Sequence, residues 1–161
     1  MDAIDLGYTC LTSALMVDAK MTNVFFKGAN LTDADLTRSN LTASKLDFAN
    51  LTNAQLHEAK LTNASLLAAK LTHATLTDTD LTNADLTAAK LTDADLSRAN
   101  LRYADLMGAS LTHANLAYAD FTHADLRHAD LTDTTLTDTG LTDVVYDDAT
   151  RWPQGYTPPP R

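Results

Sequence analysis

Residues 81–100 read LTNADLTAAKLTDADLSRAN. Leucine stands at Leu81, Leu86, Leu91 and Leu96, and a small residue stands two places before each of them: Thr79, Ala84, Ala89 and Ala94. The same spelling runs outward in both directions. From Leu31 to Leu141 every fifth position is leucine except Phe121. Of the 23 small-residue slots that go with them, 18 hold alanine, and Ser39, Ser44, Thr79, Thr134 and Thr139 hold the rest. The residue after each leucine is most often threonine. The frame continues backward through Phe26, Met21, Met16, Leu11, Leu6 and Met1, and forward to Tyr146, with no insertion.

A strict period of five suits neither regular element. On an α-helix each step of five turns the side chain by a net of roughly 140°, which smears the leucines around the cylinder. On a flat strand an odd period sends successive leucines to opposite faces. A chain that turns a corner every five residues buries them all. Each side then points one leucine and one alanine inward and three side chains outward. Successive coils stack as parallel strands, with backbone hydrogen bonds running from coil to coil. The interior fills with leucine and alanine layers, so both slots tolerate little change.

Composition agrees with a single ordered domain. The chain has 161 residues, 45% of them hydrophobic, and only five glycines. Its four prolines are confined to the tail, at Pro153, Pro158, Pro159 and Pro160. The formal net charge is −9, which disfavours direct contact with nucleic-acid phosphates or an anionic membrane and suits a basic partner. One cysteine, Cys10, leaves no internal disulfide and fits a reducing compartment. No apolar run is long enough to span a bilayer, and the N-terminus lacks the basic-then-apolar order of a secretory signal. The expected location is the cytoplasm.

The motif Ala-(Asp/Asn)-Leu-Thr-X, as in Ala34-Asp35-Leu36-Thr37-Arg38 or Ala84-Asp85-Leu86-Thr87-Ala88, resembles the pentapeptide-repeat family. The resemblance covers nearly the whole chain. It implies an all-β fold, a right-handed quadrilateral parallel β-helix of twenty residues per coil. The run to Tyr146 then makes about seven coils and a rod of roughly 34 Å. It divides the chain into a degenerate first coil or N-terminal cap (1–25), the β-helix (26–146) and a C-terminal capping tail (147–161). At the N-terminus the frame persists, but Leu11, Leu15 and Ala19 also fit a helical spacing; a degenerate coil is the expected form.

With twenty residues per coil, residues twenty apart share a face. Thr12, Thr32, Thr52, Thr72, Thr92, Thr112 and Thr132 form one unbroken ladder, and a second runs opposite from Thr22 with Arg102 as its only interruption. Flat threonine arrays can order water at ice. Ice binders of that type pair their threonines in a Thr-X-Thr frame, and here there is one per side, so β-propensity and stacking explain the ladders better. The least polar face carries Phe48, Leu67 and Met107 beside an acidic column of Asp85, Asp105 and Asp125. Those six residues are the candidate interaction face.

His73, Asp93, His113 and Asp133 line up in one outward column, but a straight ladder does not converge on a point as metal ligands must. There is no nucleophile elbow, phosphate loop or Cys/His cluster. The reading is a chain without catalytic residues, metal or cofactor. The tail Thr150-Arg151-Trp152-Pro153-Gln154-Gly155-Tyr156 resembles the terminal segment of many family members, with Tyr146, Trp152 and Tyr156 placed to close the last layer. An open coil at the other end would expose the core, and pairing with a second copy through a coil end is the expected remedy.

The function expected from these features is a rigid, non-enzymatic protein-interaction scaffold. The alternative implied by the resemblance is a DNA mimic that binds DNA gyrase and protects it from quinolones or peptide toxins. Charge density weighs against the mimic: a duplex of this length carries roughly 20 charges.

Overall fold

The computed structural model describes residues 4–160. Its backbone is a rectangular coil. Parallel bridges join Asp5 to Phe25, Cys10 to Asn30, Leu15 to Asp35 and Lys20 to Asn40, and every later bridge repeats the step of twenty as far as Asp125 to Val145. We number the sides by the first full coil: side I is 9–13, side II is 14–18, side III is 19–23 and side IV is 24–28. Residues 4–8 begin side IV one coil earlier. No helix forms among the described residues. Leu11, Leu15 and Ala19 fall on three successive sides of a coil that bridges to the next one.

One five-residue unit accounts for its own backbone donors. In 29–33, the Leu31 amide donates forward to Asn50 O at 2.7 Å and the Asp33 amide to Thr52 O at 3.0 Å. The Asn30 amide donates backward to Thr9 O at 2.9 Å, and the next alanine, Ala34, closes the corner by donating to Leu31 O at 3.1 Å. The remaining donor, the Thr32 amide, has no carbonyl in reach. The side chain of Asn30 takes it, accepting through Oδ1 at 3.2 Å. The same local bond recurs at Asp35, Asn40, Asn50, Asp80, Asp85, Asp95 and beyond. This explains the Asp/Asn preference just before leucine: short acceptors there complete the turn.

The corner also explains the fifth slot. The residue two after each leucine has positive φ, between 50° and 67° throughout the coils. Asp, Asn and His enter this left-handed region more readily than other non-glycine residues, and they fill most of these positions, from Asp33 and Asn53 to His73 and Asp143.

The interior is a continuous column. The every-fifth leucines from Leu31 to Leu131 and the alanines two places before them are buried, with Phe26 and Phe121 filling leucine slots. Where threonine replaces alanine its hydroxyl turns to a carbonyl: Thr79 Oγ1 donates to Leu56 O at 2.8 Å and Thr139 Oγ1 to Leu116 O at 2.8 Å. Ser39 and Ser44 are buried with no partner at Oγ.

The frame changes once. After Val145 the next bridge joins Asp130 to Arg151, a step of twenty-one. The extra residue is absorbed at 147–150. Asp147 Oδ1 accepts the Ala149 amide at 3.0 Å, the Thr150 amide at 3.0 Å and the His128 amide at 3.1 Å. Thr150 Oγ1 reaches Leu126 O at 2.9 Å. With the register reset, Trp152 falls in a leucine slot.

Candidate interaction surface

Side IV gathers the exposed apolar side chains. Of the ten large apolar residues exposed among the described residues, Ile4, Tyr8, Phe25, Phe48, Met107 and Val145 lie on this side. Side I has none. Phe48 stands at a corner, 53% exposed, with the Lys27 ammonium 6.0 Å from its ring centroid. Leu67 is half-buried, and Met107 stands proud at 36% exposure. Between them the corner residues are Ala68, Ala88 and Gly108, so the middle of the side is smooth. A Cβ added at Gly108 would meet nothing within 4 Å.

Asp85, Asp105 and Asp125 are consecutive rungs, joined by parallel bridges. Each carboxylate first serves its own turn, accepting the amides of Thr87 at 3.0 Å, Met107 at 2.9 Å and Arg127 at 3.0 Å. Asp125 is further claimed by the Arg127 guanidinium, whose Nε lies 2.9 Å from Oδ2, and that contact holds its carboxyl below the usual carboxylate range. Asp105 also feels the Arg127 guanidinium, whose charge it helps to hold, but at longer range than Asp125 does. The acidic part of the surface is Asp85 and Asp105, set beside Leu67 and Met107.

Two arginines elsewhere pair along the rod. Arg38 grips Asp18 through two bonds of 2.8 and 2.7 Å, and Arg98 grips Asp78 through two of 2.7 Å. Each arginine holds its aspartate below the ordinary range. The threonine ladders look inward for their partners. Thr32, Thr52, Thr82 and Thr132 hydroxyls donate to the Asn or Asp two places before them, at 2.5 to 2.7 Å. Burial pushes the Asp80 carboxyl up, but Thr82 and Thr62 outweigh it and hold it low. In the histidine column the rungs form separate pairs, His73 with Asp93 and His113 with Asp133, each at 3.8 Å. No group of three His, Cys, Asp or Glu among the described residues could hold a metal ion.

One aromatic cluster has no signal in the five-residue spelling. On side III the Tyr103 and His123 rings stack at 4.9 Å, and the Arg102 guanidinium lies 5.6 Å from the Tyr103 ring centroid. They are twenty residues apart at the same corner, so only the coil length brings them together.

At the C-terminal end Trp152 meets Tyr146 edge-on at 5.4 Å and stacks on Tyr156 at 5.4 Å. Gly155, at φ 78°, makes the turn between Pro153 and Tyr156, closed by the Tyr156 amide on Pro153 O at 3.0 Å. The Tyr146 hydroxyl donates to Pro159 O at 2.5 Å and ties the tail across the end. An open cleft lies between this tail and Thr134, Leu136 and Thr137.

Comparison with known proteins agrees with this geometry. The signature of the pentapeptide repeat region matches residues 49–117, and that of pentapeptide repeats matches 9–47 and 104–143. Among curated proteins, none matches the sequence. Among solved structures, HetL, a pentapeptide repeat protein involved in heterocyst differentiation regulation from the cyanobacterium Nostoc sp. strain PCC 7120, is 32% identical. The match covers 88% of this chain and 73% of HetL, with a TM-score of 0.57. A pentapeptide repeat protein from the Arabidopsis thaliana thylakoid lumen is 30% identical over 65% of this chain and 69% of its own, with a TM-score of 0.56. QnrB1, a plasmid-mediated fluoroquinolone resistance protein, shares the fold at 18% identity, with 91% of this chain and 92% of QnrB1 covered and a TM-score of 0.52. The period, the twenty-residue register and these matches together establish that the chain belongs to the pentapeptide repeat family and has its right-handed quadrilateral β-helix.

Proposed function

We propose that this protein is a non-enzymatic interaction scaffold whose working surface is side IV. The observation that carries the reading is the uneven distribution of exposed apolar side chains, six of ten on one side of a rod whose interior is packed from coil to coil. Phe48, Leu67 and Met107 offer apolar contact, and Asp85 and Asp105 add two carboxylates. A partner with an apolar and basic surface matches both. The exposed single thiol of Cys10 suits a reducing compartment such as the cytoplasm.

The test is capture from a native extract by the wild-type rod and by two variants. Leu67→Arg with Met107→Glu alters side IV, and Asp93→Lys alters side I. The expected result is loss of the captured protein with the first variant alone, both variants keeping the wild-type melting temperature. Retention by the side IV variant would sink the assignment.

A second reading, binding to DNA gyrase as a DNA mimic, is favoured by one observation: the coils form an acidic rod of net charge −9 with no protruding loop. Its weakness is density, less than half of the roughly 20 charges on a duplex of equal length. A supercoiling assay with and without a quinolone decides it. Protection at micromolar protein would favour the mimic, and no effect would remove it.

A further inference from the structure

Side I breaks its own hydrogen-bonding rule at three consecutive rungs in the middle of the rod. The residue before each leucine there runs Asn30, Asn50, Lys70, Lys90, Ser110 and Asp130. At Asn30, Asn50 and Asp130 the side-chain oxygen accepts both the amide and the hydroxyl of the threonine two places on. The distances are 3.2 and 2.6 Å for Thr32, 3.2 and 2.7 Å for Thr52, and 3.0 and 2.5 Å for Thr132. Lysine offers no acceptor, and Ser110 Oγ turns to Thr92 Oγ1 at 3.3 Å. Among the described residues, the amides of Thr72, Thr92 and Thr112 therefore have no acceptor, and the Thr72 hydroxyl has no partner. The Thr92 and Thr112 hydroxyls meet each other at 3.2 Å. The three amides open outward, because on the neighbouring rungs an outward side chain reaches the same group. On side IV a similar run, Phe25, Lys45 and Ser65, carries its own carboxylate, Asp47, which accepts the Ser65 hydroxyl.

Two cations stand beside these donors. Lys70 and Lys90 are exposed and joined by a parallel bridge, the one bridge between two bases among the described residues. Neither has an ion-pair partner among those residues. Like charges on adjacent rungs repel, and nothing within the chain relieves them. The approach is clear on one flank, where the corner residues are Ala68, Ala88 and Gly108. The carboxylate on these rungs is Asp93, at the opposite corner, with His73 3.8 Å away; Asp85 and Asp105 lie around the smooth corner on side IV. We propose that side I binds carboxylates here, presented by an acidic segment of a partner protein. Asp130 with Thr132, on the same side, shows the bonding: one carboxylate oxygen accepts an amide and a hydroxyl together. A partner's carboxylates take that place at Thr72 and Thr92, where the lysines add charge-assisted bonds and lose their mutual repulsion. The net charge of −9 repels an acidic partner at a distance, but that field is screened beyond about 8 Å at physiological salt. This surface lies off side IV and does not depend on the function proposed for it.

The experiment is an amide NMR titration of the full chain with a short oligoglutamate peptide, and with oligoglutamine of equal length as the control. The Thr72, Thr92 and Thr112 amide protons are expected to move downfield with oligoglutamate alone, while those of Thr52 and Thr132, already bonded, stay in place. Lys70→Asn with Lys90→Asn installs the acceptor that the repeat uses elsewhere. This double variant is expected to bind the peptide at least about tenfold more weakly, and to melt no lower than wild type, because its open amides are now filled from within. Unmoved Thr72 and Thr92 amides in wild type, or the same titration in the double variant, overturn the proposal. Inorganic phosphate that moves these amides at lower concentration than the peptide overturns the assignment to carboxylates.

Discussion

At the scale of the residue, two slots of the repeat fail in different ways. Leu86 is fully buried between neighbouring leucines. Leu86→Asp places a carboxylate there with no partner, and the expected result is loss of the cooperative melt, since an unpaired buried charge costs several kcal/mol. An unchanged melting temperature would contradict the inward assignment. The corner slot is governed by backbone conformation alone. Gly108 sits at φ 67° with open space around its absent Cβ. Gly108→Ala is therefore expected to destabilise by about 1 kcal/mol through the left-handed conformation itself. Gly28 has the same conformation, but a Cβ there would lie 2.6 Å from the Tyr8 ring. Gly28→Ala should cost more than Gly108→Ala, and equal denaturation midpoints for the two would show that Tyr8 yields freely.

At the scale of the element, the unit is one side with its corner, and it shows what was legible beforehand. The leucine and alanine slots could be assigned from periodicity because burial acts on side-chain identity every five residues. Periodicity assigns the Asp/Asn slot no role, yet Asn30, Asp35 and their counterparts complete the turn by accepting an amide that no carbonyl reaches. That need is invisible until the turn is known. The acidic column of Asp85, Asp105 and Asp125 was legible as a column; that Arg127 takes Asp125 out of it depends on a side-chain conformation that spacing does not specify. The tail aromatics stand out in the sequence, but the one-residue insertion that swings Trp152 into a leucine slot does not, because no repeat spelling survives beyond Tyr146. Trp152→Ala tests the cap. Its expected cost is about 3 kcal/mol, expressed first as faster amide exchange at Leu126 and Leu131, whose coil it covers. Uniform exchange along the rod would argue against a terminal role.

At the scale of the whole molecule, folding is coupled to acid. Asp18, Asp35, Asp78, Asp80, Asp120, Asp130 and Asp147 all have carboxyl groups held below their ordinary range. A carboxyl that is more acidic in the folded chain than in the unfolded one stabilises the fold above the unfolded value, about 4, and loses that contribution as pH falls through the folded value. The melting temperature is therefore expected to be level above about pH 5 and to decline steadily below pH 4. A melting temperature that stays constant down to pH 2 would show that these carboxylates contribute nothing to the balance. Because they occur in both halves of the rod, from Asp18 to Asp147, the decline should leave no acid-resistant half.

The constant step of twenty between bridged residues has a genetic consequence. Loss of one whole coil from the gene would leave every column in line and merely shorten the rod. Loss of a single five-residue unit would leave the leucine and alanine layers equally intact, yet turn everything downstream by a quarter of a revolution against everything upstream. Phe48 would then no longer share a face with Met107. In this architecture a small in-frame deletion can redraw the outer surface while the packing inside stays the same.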